Sequence, residues 1–239
     1  MADEAPEEYC RQIESYLCRK NDGHLIRIVG PAFEQVCGWA TRGVPIKVAY
    51  HGIDRYFERY YAKGPRRRPV RVEFCEADVL DVFDEWRRAV GVPAAAVEAT
   101  ESAEGDAANS GGPRGRHVTL PAHLERVIAR LTTLRGGPDR SLDEILDAIV
   151  RELDGARGGA KSLRGDAREQ LLKRLSALDR VLLDAARQQC DSSQLEIEAH
   201  AELAPFRDRM PREAYEQATR ASIDRLLRER LRLPVMTFE

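Results

Sequence analysis

Residues 171–185 read LLKRLSALDRVLLDA. Leu171, Leu175, Leu178, Leu182 and Ala185 recur at spacings of four and three, the apolar seam of a helix that packs on another helix. The partner is either a helix of the same chain or one from a second copy. Before this seam, Gly155 to Gly165 is a glycine-rich break. Ahead of the break, Ser141-Leu-Asp-Glu144 has the form of a capping box serving Ile145, Leu146, Ile149, Val150 and Leu153. Earlier still, Leu124, Val127, Ile128, Leu131 and Leu134 mark another helix. After the seam, Leu195 to Leu203 alternates, yet its alanine and glutamate content favours helix. Pro211 to about Arg232 forms a final helix with Tyr215, Thr219, Ile223, Leu226 and Leu227 inward, and Pro234 prevents its continuation.

Toward the N-terminus the pattern stops. Residues 94–115, AAAVEATESAEGDAANSGGPRG, hold no aromatic residue, no leucine and no period. Such a segment cannot bury enough surface to offset its ordering entropy, so residues 93–117 are expected to be a disordered linker. It separates an N-terminal module, residues 6–92, from a C-terminal bundle of about five helices with an extended tail, residues 118–239.

The N-terminal module reads as four helices. Tyr9, Ile13, Tyr16 and Leu17 line the first, which Asn21-Asp22-Gly23 ends. His24 to Val29 is short and extended. Gly30-Pro31 opens a second helix with Phe33, Val36, Cys37 and Ala40 inward. Pro45 starts a third, carrying Ile46, Ala49, Tyr50, Ile53, Phe57 and Tyr60 toward the core. Val70 to Phe74 either alternates as a short strand or simply leads into the fourth helix. A fourth helix buries Val79, Val82, Phe83, Trp86 and Val90. The expected fold class is therefore all-α, with two modules and at most one short extended segment or strand pair.

Across 239 residues, 38 lysines and arginines nearly balance 40 aspartates and glutamates, for a net charge of −2. That excludes the strong positive balance of a dedicated DNA-binding domain, so any nucleic-acid footprint must be local. Arginine outnumbers lysine 33 to 5, so arginine content alone carries no argument. No apolar run is long enough for a membrane span, and the acidic N-terminus lacks the apolar core of a secretory signal. The expected location is the cytoplasm, with the five cysteines reduced.

The local footprint lies between residues 55 and 71. Arg55, Arg59, Lys63, Arg66, Arg67, Arg68 and Arg71 interleave with Tyr56, Phe57, Tyr60 and Tyr61. Guanidinium groups fork onto phosphate oxygens and aromatic faces stack unpaired bases. The same residues also suit core aromatics beside a solvated turn at a helix C-terminus. Cys10, Cys18, Cys37 and Cys75 are separated by 7, 18 and 37 residues, without the tight pair that a thiolate metal site usually contains. His51, Asp54 and Glu58 share one helix face, and Asp78, Asp81 and Glu85 another; both read as solvated polar faces. No catalytic constellation, phosphate loop or cofactor motif stands out, so no enzyme activity, metal or cofactor is expected. Finally, Leu233, Met236 and Phe238 punctuate a tail that either docks into a partner's groove or packs on its own domain.

Four stretches, two toward each end of the chain, carry a resemblance. Residues 43–58, GVPIKVAYHGIDRYFE, with 74–86, FCEADVLDVFDEW, look like a family of uncharacterised bacterial helical proteins, as do Ala204-Pro-Phe-Arg-Asp-Arg-Met210 and Leu231-Arg-Leu-Pro234 at the other end. Val82 and Trp86 also resemble the closing helix of the DnaD-like domain of replication proteins, although Asp78 departs from its aromatic position. That resemblance implies a DNA-associated scaffold with the segment 55–71 near the strand. The tail resembles sliding-clamp-binding peptides without their leading glutamine. Together these readings lead to an expected non-enzymatic, DNA-associated accessory or adaptor protein. The alternatives are a scaffold that uses the leucine seam to self-associate or bind a partner helix, and, further off, a cysteine-ligated metalloprotein.

Overall fold

The computed structural model describes residues 6–62, 64, 69–98, 119–135 and 140–238. Among the described residues there are helices, turns and irregular segments, and no strand. They divide into two compact units, one drawn from residues 1–104 and 200–222, the other from 105–199 and 223–239.

In the first unit, α1 (Pro6–Lys20) buries Tyr9, Cys10, Ile13 and Leu17, close to the face its apolar spacing specifies. Helix α2 (Pro31–Thr41) buries Ala32, Val36 and Trp39, while Phe33, Cys37 and Ala40 are only half-buried. The inward face is therefore turned toward Trp39, which the spacing argument passed over. Helix α3 (Ile46–Tyr61) buries Val48, Ala49, Gly52, Ile53 and Phe57, and α4 (Glu76–Val90) buries Asp78, Val79, Phe83, Trp86 and Val90. These two helices meet backbone to backbone. A Cβ on Gly52 would lie 2.4 Å from the Val79 Cα, so only glycine allows this approach. Residues 70–74 do not form a strand: Val72–Cys75 is a 3-10 turn that leads into α4.

Two expected boundaries differ. Residues 93–98 are not linker: α5 (Ala95–Glu98) is a short helix whose Ala96 is buried in the first core, with its carbonyl accepting from Arg209 Nη1. The rest of the expected linker, 99–117, lies outside the described residues. The expected C-terminal bundle also gives up residues 200–222, because Leu203, Phe206, Met210 and Ala218 belong to the first core. Phe206 is the anchor. It is fully buried, with its ring 6.0 Å from Trp86 and 6.5 Å from Phe83. Gly43, at φ 79°, passes directly beneath it, where a Cβ would sit 2.9 Å from the ring.

In the second unit, α6 (Leu120–Thr133), α7 (Arg140–Arg157) and α8 (Gly165–Arg187) are joined by Leu195 and Ala199 of α9 (Ser192–Leu203) and by Leu226 and Leu227 of α10 (Arg212–Leu231). Residues 195–203 are thus helical. Helix α7 holds Ser141-Leu-Asp-Glu144 at its N-terminal end and extends past Gly155. The leucine seam is spent internally: Leu175, Leu178, Leu182 and Ala185 are buried, and Leu171 packs partly against the same core. That leaves no seam for a partner helix.

The tail is likewise spent. Leu233 and Met236 are buried and Phe238 packs on the core with its ring 5.2 Å from His123. Asp179 holds it: one carboxylate oxygen accepts from the Met236 N–H at 3.0 Å, and the other takes the Arg228 guanidinium. Arg228 also donates to the Pro234 carbonyl at 2.8 Å. His123 Nε2 lies 3.2 Å from the Met236 carbonyl, which can only accept, so Nε2 carries the proton. Of the two expectations for the tail, packing on its own domain is the one observed; Leu233, Met236 and Phe238 are not a free docking peptide, because their own unit buries or packs their side chains and pairs the Met236 N–H and carbonyl.

Candidate binding face of the first unit

The basic and aromatic segment 55–71 splits into two parts with different chemistry. On α3, Arg55 and Arg59 point at α4. Asp78, buried to 1% exposure, accepts from Arg59 Nη2 at 2.6 Å and lies 3.8 Å from Arg55 Nε. Arg55 Nη1 continues to Glu85 at 3.0 Å and Nη2 to Asp81 at 4.0 Å. A carboxylate taken out of water needs such partners, since an unpaired buried charge costs several kcal/mol, about 3–5 when one partner is removed. Arg55 and Arg59 therefore join α3 to α4 and are not free phosphate ligands. Of the face Asp78–Asp81–Glu85, expected to be solvated, Asp81 and Glu85 are exposed while Asp78 is buried in that joint. The neighbouring face is similar: Asp54 accepts from the Tyr16 hydroxyl and from Lys20 Nζ, both at 2.7 Å. Burial, then the hydrogen bond to Asp54, pushes the Tyr16 phenol well above its ordinary range.

The other part runs from Lys63 to Arg71. Lys63, Arg66, Arg67 and Arg68 lie outside the described residues. Arg71 is exposed, and among the described residues no carboxylate pairs with it. Beside this loop runs a row of rings. Phe74 faces Tyr56 at 6.5 Å, Tyr56 faces Tyr60 at 5.8 Å, and Tyr60 meets Tyr61 edge-on at 5.4 Å. The ends of the row are the open ones: Phe74 is 59% exposed and Tyr61 40%. The Arg59 guanidinium lies over Tyr56, 5.6 Å from its centroid.

Next to Phe74 the surface forms a groove of about 400 Å³. One bank is Leu25 to Val29; the other runs from Pro69 to Glu73. Asn21 sets their spacing. Its buried amide donates to the Leu17 and Val70 carbonyls at 2.9 and 3.1 Å and accepts from the Val70 N–H at 2.7 Å. In the sequence Asn21 reads only as a helix stop; its second role depends on a residue 49 positions away.

The cysteines do not converge. Among the described residues no group of three metal-ligating side chains comes together. Cys10 is buried, and burial followed by the nearby Cys37 pushes its thiol up to about 11. Cys75 is buried too, and is pushed up to about 12 by burial and then by Asp78. Cys18 accepts from the Ile26 N–H at 3.3 Å. Among the described residues no helix is long and apolar enough to cross a membrane.

Set against known proteins, the chain has no match among family models, curated proteins or solved structures. Its functional reading therefore rests on the residues themselves.

Proposed function

We propose that the protein is a non-enzymatic, nucleic-acid-associated accessory or adaptor factor whose first unit takes up single-stranded nucleic acid along the basic loop 63–71. The observation that carries this reading is the row Phe74–Tyr56–Tyr60–Tyr61, with exposed rings at both ends of a loop rich in cations. Stacked rings favour unpaired bases, and exposed guanidiniums track the backbone phosphates. The resemblance of the Val82 and Trp86 helix to the DnaD-like domain points in the same direction. Arg55 and Arg59 leave the contact set and hold the platform in place. The remaining contacts are Lys63, Arg66, Arg67, Arg68 and Arg71 for phosphate, with Phe74 and Tyr61 for bases.

The test is an anisotropy titration of labelled single- and double-stranded oligonucleotides at several salt concentrations. Single strands are expected to bind more tightly, with affinity falling as salt rises. Replacing Arg66, Arg67 and Arg68 by alanine should flatten the logarithmic salt slope by about 2, from about 0.7 per phosphate contact. Phe74→Ala should cost about 1–3 kcal/mol of binding, the worth of one stacked base. Arg55→Ala should leave affinity unchanged in protein that remains folded. Absence of binding, or an unchanged slope in the triple variant, would overturn the reading.

A further inference from the structure

The segment from Leu25 to Val29 belongs to no helix or turn, and its exposure and hydrogen bonding alternate residue by residue as in an extended chain. On the inner edge the Ile28 N–H donates to Glu14 Oε2 at 2.9 Å, and the Ile26 N–H donates to Cys18 Sγ at 3.3 Å. The Ile26 and Ile28 side chains follow, one half-buried and the other buried. In an extended chain the next residues point the opposite way. The N–H and C=O groups of Leu25, Arg27 and Val29 have no partner among the described residues. Their side chains stand in solvent, Leu25 at 79% and Val29 at 67% exposure. These groups form an unpaired, strand-like edge flanked by apolar side chains, the kind of edge that proteins ordinarily cover or charge.

We propose that this edge is a docking site for an extended peptide that adds as an antiparallel strand, with an acidic residue opposite Arg27 and apolar residues opposite Leu25 and Val29. Strand addition satisfies the three idle donor–acceptor pairs, and the alternate side chains set specificity. Directly opposed residues share a face, so the pattern is apolar–x–acidic–x–apolar. Charge complementarity selects the centre. Arg27 is the one charged side chain on this bank, it has no carboxylate partner among the described residues, and Arg71 stands exposed on the opposite bank. Glu73, also on that bank, disfavours a second acidic residue there. A second copy of this chain does not fit. The register that uses all three pairs would set Arg27 against Arg27, and like charges directly opposite are destabilising. The site shares Arg71 with the proposed phosphate contacts, but its strand pairing rests on backbone groups of residues 25–29 and not on Arg66, Arg67 or Arg68.

The test uses the full chain and the peptide acetyl-Val-Thr-Glu-Thr-Val-amide, followed by amide NMR shifts and hydrogen exchange. The amides of Leu25, Arg27 and Val29 should shift and become protected, while those of Ile26 and Ile28 change little. N-methylation of the peptide's glutamate nitrogen, or lysine in its place, should weaken binding at least tenfold. Arg27→Glu should reverse the preference between the glutamate and lysine peptides, with the fold checked by circular dichroism. The Arg66/Arg67/Arg68→Ala variant should bind the peptide as the parent does, which separates this site from the proposed nucleic-acid function. The inference is overturned if the methylated peptide binds equally well, if protection falls elsewhere, if the chain instead dimerises through these amides, or if oligo-dT protects the same amides and displaces the peptide.

Discussion

Residues 25–29 and 233–238 are both short, non-helical and punctuated by apolar side chains, and from composition alone either could dock into something else. Their surroundings give them opposite fates. In the tail, Met236 is fully buried; its N–H goes to Asp179 and its carbonyl to His123. In the Leu25–Val29 segment the inner edge is paired and the outer edge is not, with Leu25 and Val29 left in solvent. What separates the internal strap from the docking edge is that the apolar residues of the tail, Leu233 and Met236, are buried with their N–H groups paired, whereas Leu25 and Val29 stand in solvent with theirs unpaired among the described residues.

The contrast can be broken most forcefully at the tail. Asp179→Ala removes the acceptor of the Met236 N–H and leaves Arg228, itself mostly buried, without its carboxylate. A loss of about 3–5 kcal/mol in denaturant unfolding of the second unit is expected, as for breaking one side of a buried pair. A loss below about 1 kcal/mol would mean that the tail is not held as described. Met236→Ala empties a fully buried site and should cost about 2–3 kcal/mol, read by thermal melting. On the first unit, Asn21→Ala orphans the buried Val70 N–H and should cost about 1–3 kcal/mol. It should also loosen the groove, seen as faster exchange at Val70.

Alkaline pH sharpens the contrast between the units. The Cys75 and Cys10 thiols are raised in the folded first unit, to about 12 and about 11, from an ordinary value of 9.0. The unfolded chain therefore ionises them first. Their contribution is intact below about pH 9 and is lost as pH rises through the folded values. Unfolding of the first unit, followed by Trp39 and Trp86 fluorescence, should become easier in that window, and Cys75→Ala and Cys10→Ala should shrink the effect. The smallest change is expected from Leu25→Ser combined with Val29→Ser. Both side chains are exposed, so stability should move by no more than about 0.5 kcal/mol, while peptide binding is lost.

Much of the fold was legible because periodicity reports local burial. The seam at 171–185 and the stripes of α1 and α4 led to all-α packing, and the helix content of 195–203 followed from alanine and glutamate. What was not legible depended on pairs distant in sequence. Phe206 belongs with Phe83 and Trp86, more than a hundred residues away, so residues 200–222 could not be assigned from local pattern. The same holds for the site. Arg55, Arg59 and Asp78 each look like solvated surface until α3 and α4 close at Gly52 and bring them together. Arg71 was picked out in advance, whereas Leu25, Arg27 and Val29 were not. That 24–29 is not helical was visible in the sequence, but which edge remains open depends on Glu14 and Cys18 of another element.

Residue-resolved amide hydrogen exchange of the free protein tests the central claim most directly. The account predicts slow exchange at Ile26, Ile28 and Met236, and exchange near the unfolded-chain rate at Leu25, Arg27 and Val29. Slow exchange at those three would show that the outer edge is already paired, and would contradict the contrast between an internal strap and an open edge.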